Sequence, residues 1–148
     1  MNVPTYPSTT LKTKEESGKK FIWDCVRRKY ILLTPEEWVR QHLVYWLWKE
    51  KGFPLGLMKM EHPHKSFGLS KRSDVLVMNT SGSFVLLCEC KASQVVLSSM
   101  HVRQALVYNH TLQAAFVLVT NGSAHVCLSL SHGTYHQIDD VPHFSSLL

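Results

Sequence analysis

Two continuous apolar runs with a short polar gap between them constrain this chain more than any other feature. Residues 74–78 read Asp-Val-Leu-Val-Met, residues 84–88 read Phe-Val-Leu-Leu-Cys, and Thr80, Ser81, Gly82 and Ser83 lie between. Runs that are apolar at every position, rather than every second one, belong to central strands buried on both faces, and the Ser-Gly turn makes the pair a hairpin. Helices must then cover the sheet. Thr34 suits a helix N-cap, Pro35 the first helical position and Glu37 the third, where its carboxylate can reach back to the cap N–H. The apolar stripe Trp38, Val39, Leu43, Trp46 and Leu47 carries that helix forward until Gly52 and Pro54 stop it. A second helix is predicted from Ser98 or Ser99 to about Gln113, through Met100, Leu106, Val107 and Leu112.

The remaining elements are strands. Residues 55–61 read as a first strand and 114–120 as a buried one. Asn121-Gly122 is the best hairpin turn in the chain, 124–130 is the returning strand, and 135–138 is one further short strand. The predicted order is helix, three strands, helix, two strands: an α/β fold with a mixed sheet flanked by helices. At 148 residues and 45% hydrophobic content the chain fits one self-folding domain, expected over residues 21–148. Residues 1–20, with Pro4, Pro7 and three consecutive Ser/Thr residues, read as an extended basic arm. No apolar run reaches 18 residues and the first twenty are polar, so neither membrane spanning nor secretion is expected. Cys25, Cys88, Cys90 and Cys127 have no CxxC spacing, which suits a reducing cytoplasm.

The formal charge is +5, and its distribution is uneven. Residues 11–30 hold seven basic side chains (Lys12, Lys14, Lys19, Lys20, Arg27, Arg28, Lys29) against three acidic ones, a net +4. A polyanion would meet mainly this half of the chain, although a merely solvated arm has the same composition.

Hairpin arithmetic assembles the chemistry. With the turn centred on Ser81-Gly82, Asp74 falls opposite Glu89, on one face of the sheet with Cβ atoms roughly 4.5–5.5 Å apart. Lys91, two residues beyond Glu89, shares that face. Two carboxylates so close repel unless a cation joins them. A divalent metal with hard oxygen ligands is one solution. An ion-pair cluster with Lys71, Arg72 and Lys91 is the other, and for spacing alone it is the commoner outcome.

Beyond spacing, Arg72-Ser73-Asp74 followed by Glu89-Cys90-Lys91-Ala92 resembles the D…ExK signature of the PD-(D/E)xK nuclease superfamily, and the predicted element order is that of its restriction-endonuclease-like core. The chain more closely resembles the N-terminal nuclease domain of type I restriction enzyme R subunits and their small stand-alone relatives. The matching stretches are residues 22–27, 33–41, 71–74, 89–92, 104–109 and 120–122. Gln104 and Tyr108 look like the QxxxY motif of RecB-like nucleases. Ser73 stands where a proline often precedes the first aspartate.

The resemblance implies a Mg²⁺-dependent DNA endonuclease, with Mn²⁺ as a substitute. Asp74, Glu89 and the Cys90 backbone carbonyl would be metal ligands and Lys91 the catalytic lysine. Gln104 and Tyr108 would line the DNA groove or brace the site. An acidic residue of the first helix, Glu37 or Glu36, or else Glu61 at the end of the first strand, would complete the site. Lys71, Arg72, Gln104 and the four lysines Lys12, Lys14, Lys19 and Lys20 are the expected DNA contacts. Partners would be DNA and either further copies of the chain or separate motor and specificity subunits, in a restriction-modification, defence or repair setting. No P-loop occurs, so no nucleotide cofactor is expected in this chain. His62-Pro63-His64 lacks a partnering motif and reads as surface, and Cys88 and Cys90 alternate with Glu89 and face away from the site. The competing function is a catalytically silent nucleic-acid-binding or interaction module of the same fold.

Overall fold

A computed structural model describes Tyr6, residues 11–66 and residues 69–147. Strands β1 (Thr13–Glu16), β2 (Lys19–Asp24) and β3 (Lys29–Leu32) form an antiparallel sheet in chain order, followed by helix α1 (Pro35–Lys49). A 3-10 turn at Leu55–Leu57 leads into β4 (Met58–Ser66), β5 (Leu69–Met78) and β6 (Phe84–Cys90). Helix α2 (Ser99–Leu112) precedes β7 (Phe116–Thr120), β8 (His125–Ser131) and β9 (Thr134–Ile138). These last six strands make one mixed sheet in the order β4-β5-β6-β7-β8-β9, in which only β6 and β7 run parallel. A parallel pair needs a crossover, and α2 supplies it.

Strand alternation sorts the core into two layers. Val75, Val77, Leu86, Cys88 and Cys90 pack with Val39, Leu43, Val44 and Leu47 of α1. Leu76, Leu87, Val117 and Val119 pack with Ala105 and Leu112 of α2 on the opposite face. The uninterrupted apolar runs of β5 and β6 are thus explained: each side chain, on either face, meets a helix. Full burial of one such Leu or Val contributes about 1.5–3 kcal/mol. Among the described residues no helix is long and apolar enough to cross a membrane.

The β5–β6 register is the one expected from the turn, with Val75 opposite Cys88, Leu76 opposite Leu87 and Val77 opposite Leu86. One irregularity falls between Val77 and Met78, at the turn end of the hairpin. The Asn79 side-chain oxygen closes that turn by accepting from the backbone N–H groups of Ser81 (3.1 Å) and Ser83 (2.9 Å).

Two regions differ from expectation. The part of the expected arm from residue 13 onward is built into a sheet, with Lys14 opposite Phe21 and Glu16 opposite Lys19. Residues 13–20 of that sheet are exposed, rich in charge and without an apolar run, so nothing in the sequence distinguishes them from a solvated tail. Residues 62–66 and 69–73 continue the β4–β5 ladder from His62–Ser73 to Ser66–Leu69, beyond the residues that pair with β6. This stretch holds Pro63 and several basic residues, and it too lacks the apolar signature of a buried strand.

Candidate active site

The predicted metal-binding residues lie at the open end of β5 and β6. One step past the Val75–Cys88 pair come Asp74 and Glu89, on the α2 side of the sheet with Leu76 and Leu87. The two carboxyl groups are close enough for each to act on the other's charge. Glu89 is buried and its Oε1 has no hydrogen-bond partner. Burial first, and then the neighbouring Asp74 charge, push the Glu89 carboxyl up to about 10, while Lys91 acts in the opposite direction. Asp74, Glu89 and Lys91 thus lie at one end of the β5–β6 pair, near enough for the Asp74 and Lys91 charges to act on the Glu89 carboxyl. The peptide of Cys90 also faces this point, since its N–H donates to Asp74 Oδ2 at 2.7 Å.

The turn Thr120-Asn121-Gly122 holds the strand end in place. The Thr120 carbonyl accepts the Lys91 N–H at 2.8 Å, and Asn121 Nδ2 donates to the Val95 carbonyl at 2.8 Å, pinning the loop that follows Lys91. Asn121 Oδ1 accepts the N–H groups of Ser123 and Ala124, and Gly122 takes a φ of +91° that favours glycine.

On α2, Tyr108 is half-buried, and its hydroxyl is pushed up by burial and by the fields of Glu89 and Asp74. Gln104, one turn earlier, is exposed. Arg72, Lys12, Lys14, Lys19 and Lys20 are exposed, and the Lys71 side chain lies outside the described residues. The thiols of Cys88 and Cys90 are buried in the α1 layer and held well above their ordinary range by burial, so neither is a thiolate nucleophile.

Of the three acidic candidates that could complete the site, Glu36 is the one in range of Asp74. Burial, followed by the Asp74 charge, raises its carboxyl. Glu37 and Glu61 sit on arginines instead. The Thr34 hydroxyl accepts the Glu37 N–H at 3.1 Å as the cap expects, but the Glu37 carboxylate turns inward to Gln41 Nε2 (2.8 Å), Arg40 Nη1 (3.0 Å) and Arg27 Nη2 (3.3 Å). Glu61 has a left-handed backbone (φ 48°), costing of order 1 kcal/mol, and its carboxylate meets Arg27 at 2.9 Å and Arg40 at 3.4 Å. Burial alone would raise the Glu61 carboxyl, yet the two guanidinium groups leave it below the ordinary value.

The support beneath the site follows from no spacing rule in the sequence. Arg40, 4% exposed, donates to Asp74 Oδ1 at 2.9 Å and faces Glu36 at 3.4 Å as well as Glu37 and Glu61. Behind it, fully buried Asp24 accepts the N–H groups of Val26 and Arg27 at 2.8 Å, Arg27 Nε at 2.6 Å and Gln41 Nε2 at 3.1 Å. Asp24, Arg27, Arg40 and Gln41 lie within two of the family-like stretches, 22–27 and 33–41, but no spacing rule tells what each of them holds.

Among the described residues no group of three or more His, Cys, Asp or Glu side chains forms a ready-made metal cage. The donor set nevertheless suits a hard divalent cation, because Asp74 and Glu89 offer carboxylate oxygens, and the orphaned Glu89 Oε1 is a buried polar atom in want of a partner.

No curated protein and no solved structure matches the chain at significance. Residues 35–142, from the first residue of α1 to beyond β9, match the family described as type I restriction enzyme R protein N terminus. That span takes in Arg40, Asp74, Glu89, Lys91, Tyr108 and the Thr120 turn, and this chain belongs to the type I restriction enzyme R protein N-terminal family.

Proposed function

We propose that this chain is a Mg²⁺-dependent deoxyribonuclease that hydrolyses phosphodiesters at the Asp74–Glu89–Lys91 site. The single observation that carries the reading is the buried Glu89 carboxyl, which lies beside Asp74 at the end of two core strands with its Oε1 unpartnered. A divalent ion held by Asp74, Glu89 and the Cys90 carbonyl, Mg²⁺ or Mn²⁺, would supply Lewis-acid activation of water and offset phosphate charge.

The chain's own residues do the rest. Lys91 orients the attacking water and faces the charge that develops on the phosphate. Arg40 holds Asp74 in position through its 2.9 Å bond. Tyr108 and Gln104 lie on one face of α2 and line the approach of the DNA, with the exposed Arg72 of β5 as a further contact. Family membership supports DNA as substrate and association with separate restriction subunits.

Plasmid cleavage in Mg²⁺ tests the reading directly: Lys91→Ala is expected to lose about 10²–10³-fold in rate with its fold and melting temperature unchanged. Equal cleavage by both chains, or none by the unsubstituted chain in Mg²⁺ or Mn²⁺, would discard it. The exposed lysines Lys12, Lys14, Lys19 and Lys20 are expected to contact phosphates. Replacing all four by glutamine should flatten the log–log salt dependence of duplex binding by about 0.9 for each phosphate no longer neutralised, with cleavage at saturating DNA retained.

A further inference from the structure

The N-terminal sheet presents one face that neither the fold nor the cleavage site uses. Its register sorts the side chains. Ile22 and Asp24, both fully buried, point inward, while Lys14, Phe21 and Leu32 lie opposite one another on the outer face, and Trp23 and Tyr30 pair beside them. Phe21, Trp23 and Tyr30 are half-buried, and Leu32 is 51% exposed. The Trp23 and Tyr30 rings meet edge-on at 5.2 Å. Lys14 Nζ lies 4.6 Å from the Tyr30 ring centre and 5.9 Å from that of Phe21, and it also pairs with Glu16 at 3.0 Å. Lys12 comes alongside, its carbonyl accepting the Trp23 N–H at 2.8 Å.

This face continues into a cavity of about 300 Å³ walled by Lys12 and Trp23 on one side and by Tyr45 and Trp48 of α1 on the other. Lys49 caps the Trp48 ring at 3.7 Å. Aromatic π-faces interleaved with lysines are the chemistry that binds single-stranded nucleic acid, where bases stack on rings and ammonium groups follow the phosphates. A duplex keeps its bases stacked inside and cannot use the rings in this way. The face is also tied to the cleavage site, since β2 ends at Asp24, whose partner Arg27 reaches Glu37 and Glu61, and these in turn hold Arg40 against Asp74. It lies outside the matched residues 35–142 except for the α1 wall.

We infer that the outer face of β1–β3, with Phe21, Trp23 and Tyr30 and the adjoining Trp48 groove, is a stacking platform for a single strand of DNA. The inference rests on the reading of the chain as a DNA enzyme, and it assigns the part of the substrate held away from the scissile bond.

The test is anisotropy of a labelled thymidine oligonucleotide of about 15 nucleotides, within the length range such platforms hold, titrated with the full chain in EDTA. Trp23→Leu with Tyr30→Leu is expected to weaken binding by about 5- to 150-fold for each base that can no longer stack, with the circular dichroism spectrum retained. If that variant unfolds, ultraviolet cross-linking of a bromodeoxyuridine oligonucleotide to the unsubstituted chain decides the matter. Adducts on peptides holding Phe21, Trp23 or Tyr30 support the platform, and adducts only elsewhere overturn it. A folded double variant that binds as tightly as the original, or a duplex that competes as well as the single strand, also overturns it. Plasmid cleavage by the same preparations separates this inference from the nuclease reading: platform-dependent oligonucleotide binding without cleavage by the unsubstituted chain would end the nuclease reading alone, and cleavage intact without single-strand binding would end the platform alone.

Discussion

In EDTA, Glu89→Gln is expected to melt above the unsubstituted chain at pH 8, and the gap is expected to close as the pH approaches 4.5. The sign follows from proton counting. Unfolded, the Glu89 carboxyl loses its proton near the usual carboxylate value of 4.5, whereas in the fold burial and Asp74 hold the proton until about 10. Between those limits the folded state binds more protons than the unfolded state, so stability falls as pH rises, by up to about 1.4 kcal/mol per pH unit. Glutamine is neutral throughout and has no such slope. Adding Mg²⁺ should raise the melting temperature of the unsubstituted chain at pH 8, because a cation replaces the proton as partner of the ionised pair, and should do much less for Glu89→Gln. Melting curves that shift in parallel across this range, with no response to Mg²⁺, would show that the Glu89 carboxyl titrates like an ordinary surface carboxyl and binds no cation.

Arg40→Met is expected to be the most destabilising single change at neutral pH, by about 3–5 kcal/mol, the cost of removing one partner from a buried charge cluster. Arg40 lies between Glu36, Glu37, Glu61 and Asp74, and without it four carboxyl groups lose their shared cation. Arg40→Lys keeps the charge but not the forked geometry that reaches both the Asp74 and the Glu37 side at once, so it should recover part of the stability and little of the cleavage. Urea titrations of the three chains give the stabilities, and plasmid cleavage gives the activity. A melting midpoint for Arg40→Met equal to that of the unsubstituted chain would show that the carboxyl groups are satisfied by other means.

The Asp74–Glu89–Lys91 constellation is legible in the sequence because it depends on local rules alone. A short turn sets the register, the register places Asp74 opposite Glu89, and the period of two puts Lys91 on the same face. The irregularity at Val77/Met78 sits at the turn end of the hairpin and leaves the register at the site end intact. Both helices are legible for the same reason, since Thr34-Pro35 and Ser98 are local start signals, although α2 closes its capping box with His101.

Tertiary structure alone decided what surrounds the trio. Glu36, Glu37 and Glu61 are equivalent as letters, and where α1 docks on the sheet decides that Glu36 feels the Asp74 charge while Glu37 and Glu61 pair with Arg27 and Arg40. Arg40 and Asp74 are 34 positions apart and Arg27 and Glu61 likewise, so no periodicity connects them. Their pairing exists only because packing Val39, Leu43 and Leu47 against Val75 and Cys88 turns the polar edge of α1 toward the ends of β4 and β5. The N-terminal sheet was hidden for the opposite reason: its outer face alternates charge with aromatic rings. Local sequence determines which side chains share a strand face, because that is set by neighbours two residues away, whereas the partner of a buried charge is set by whichever element the core brings beside it.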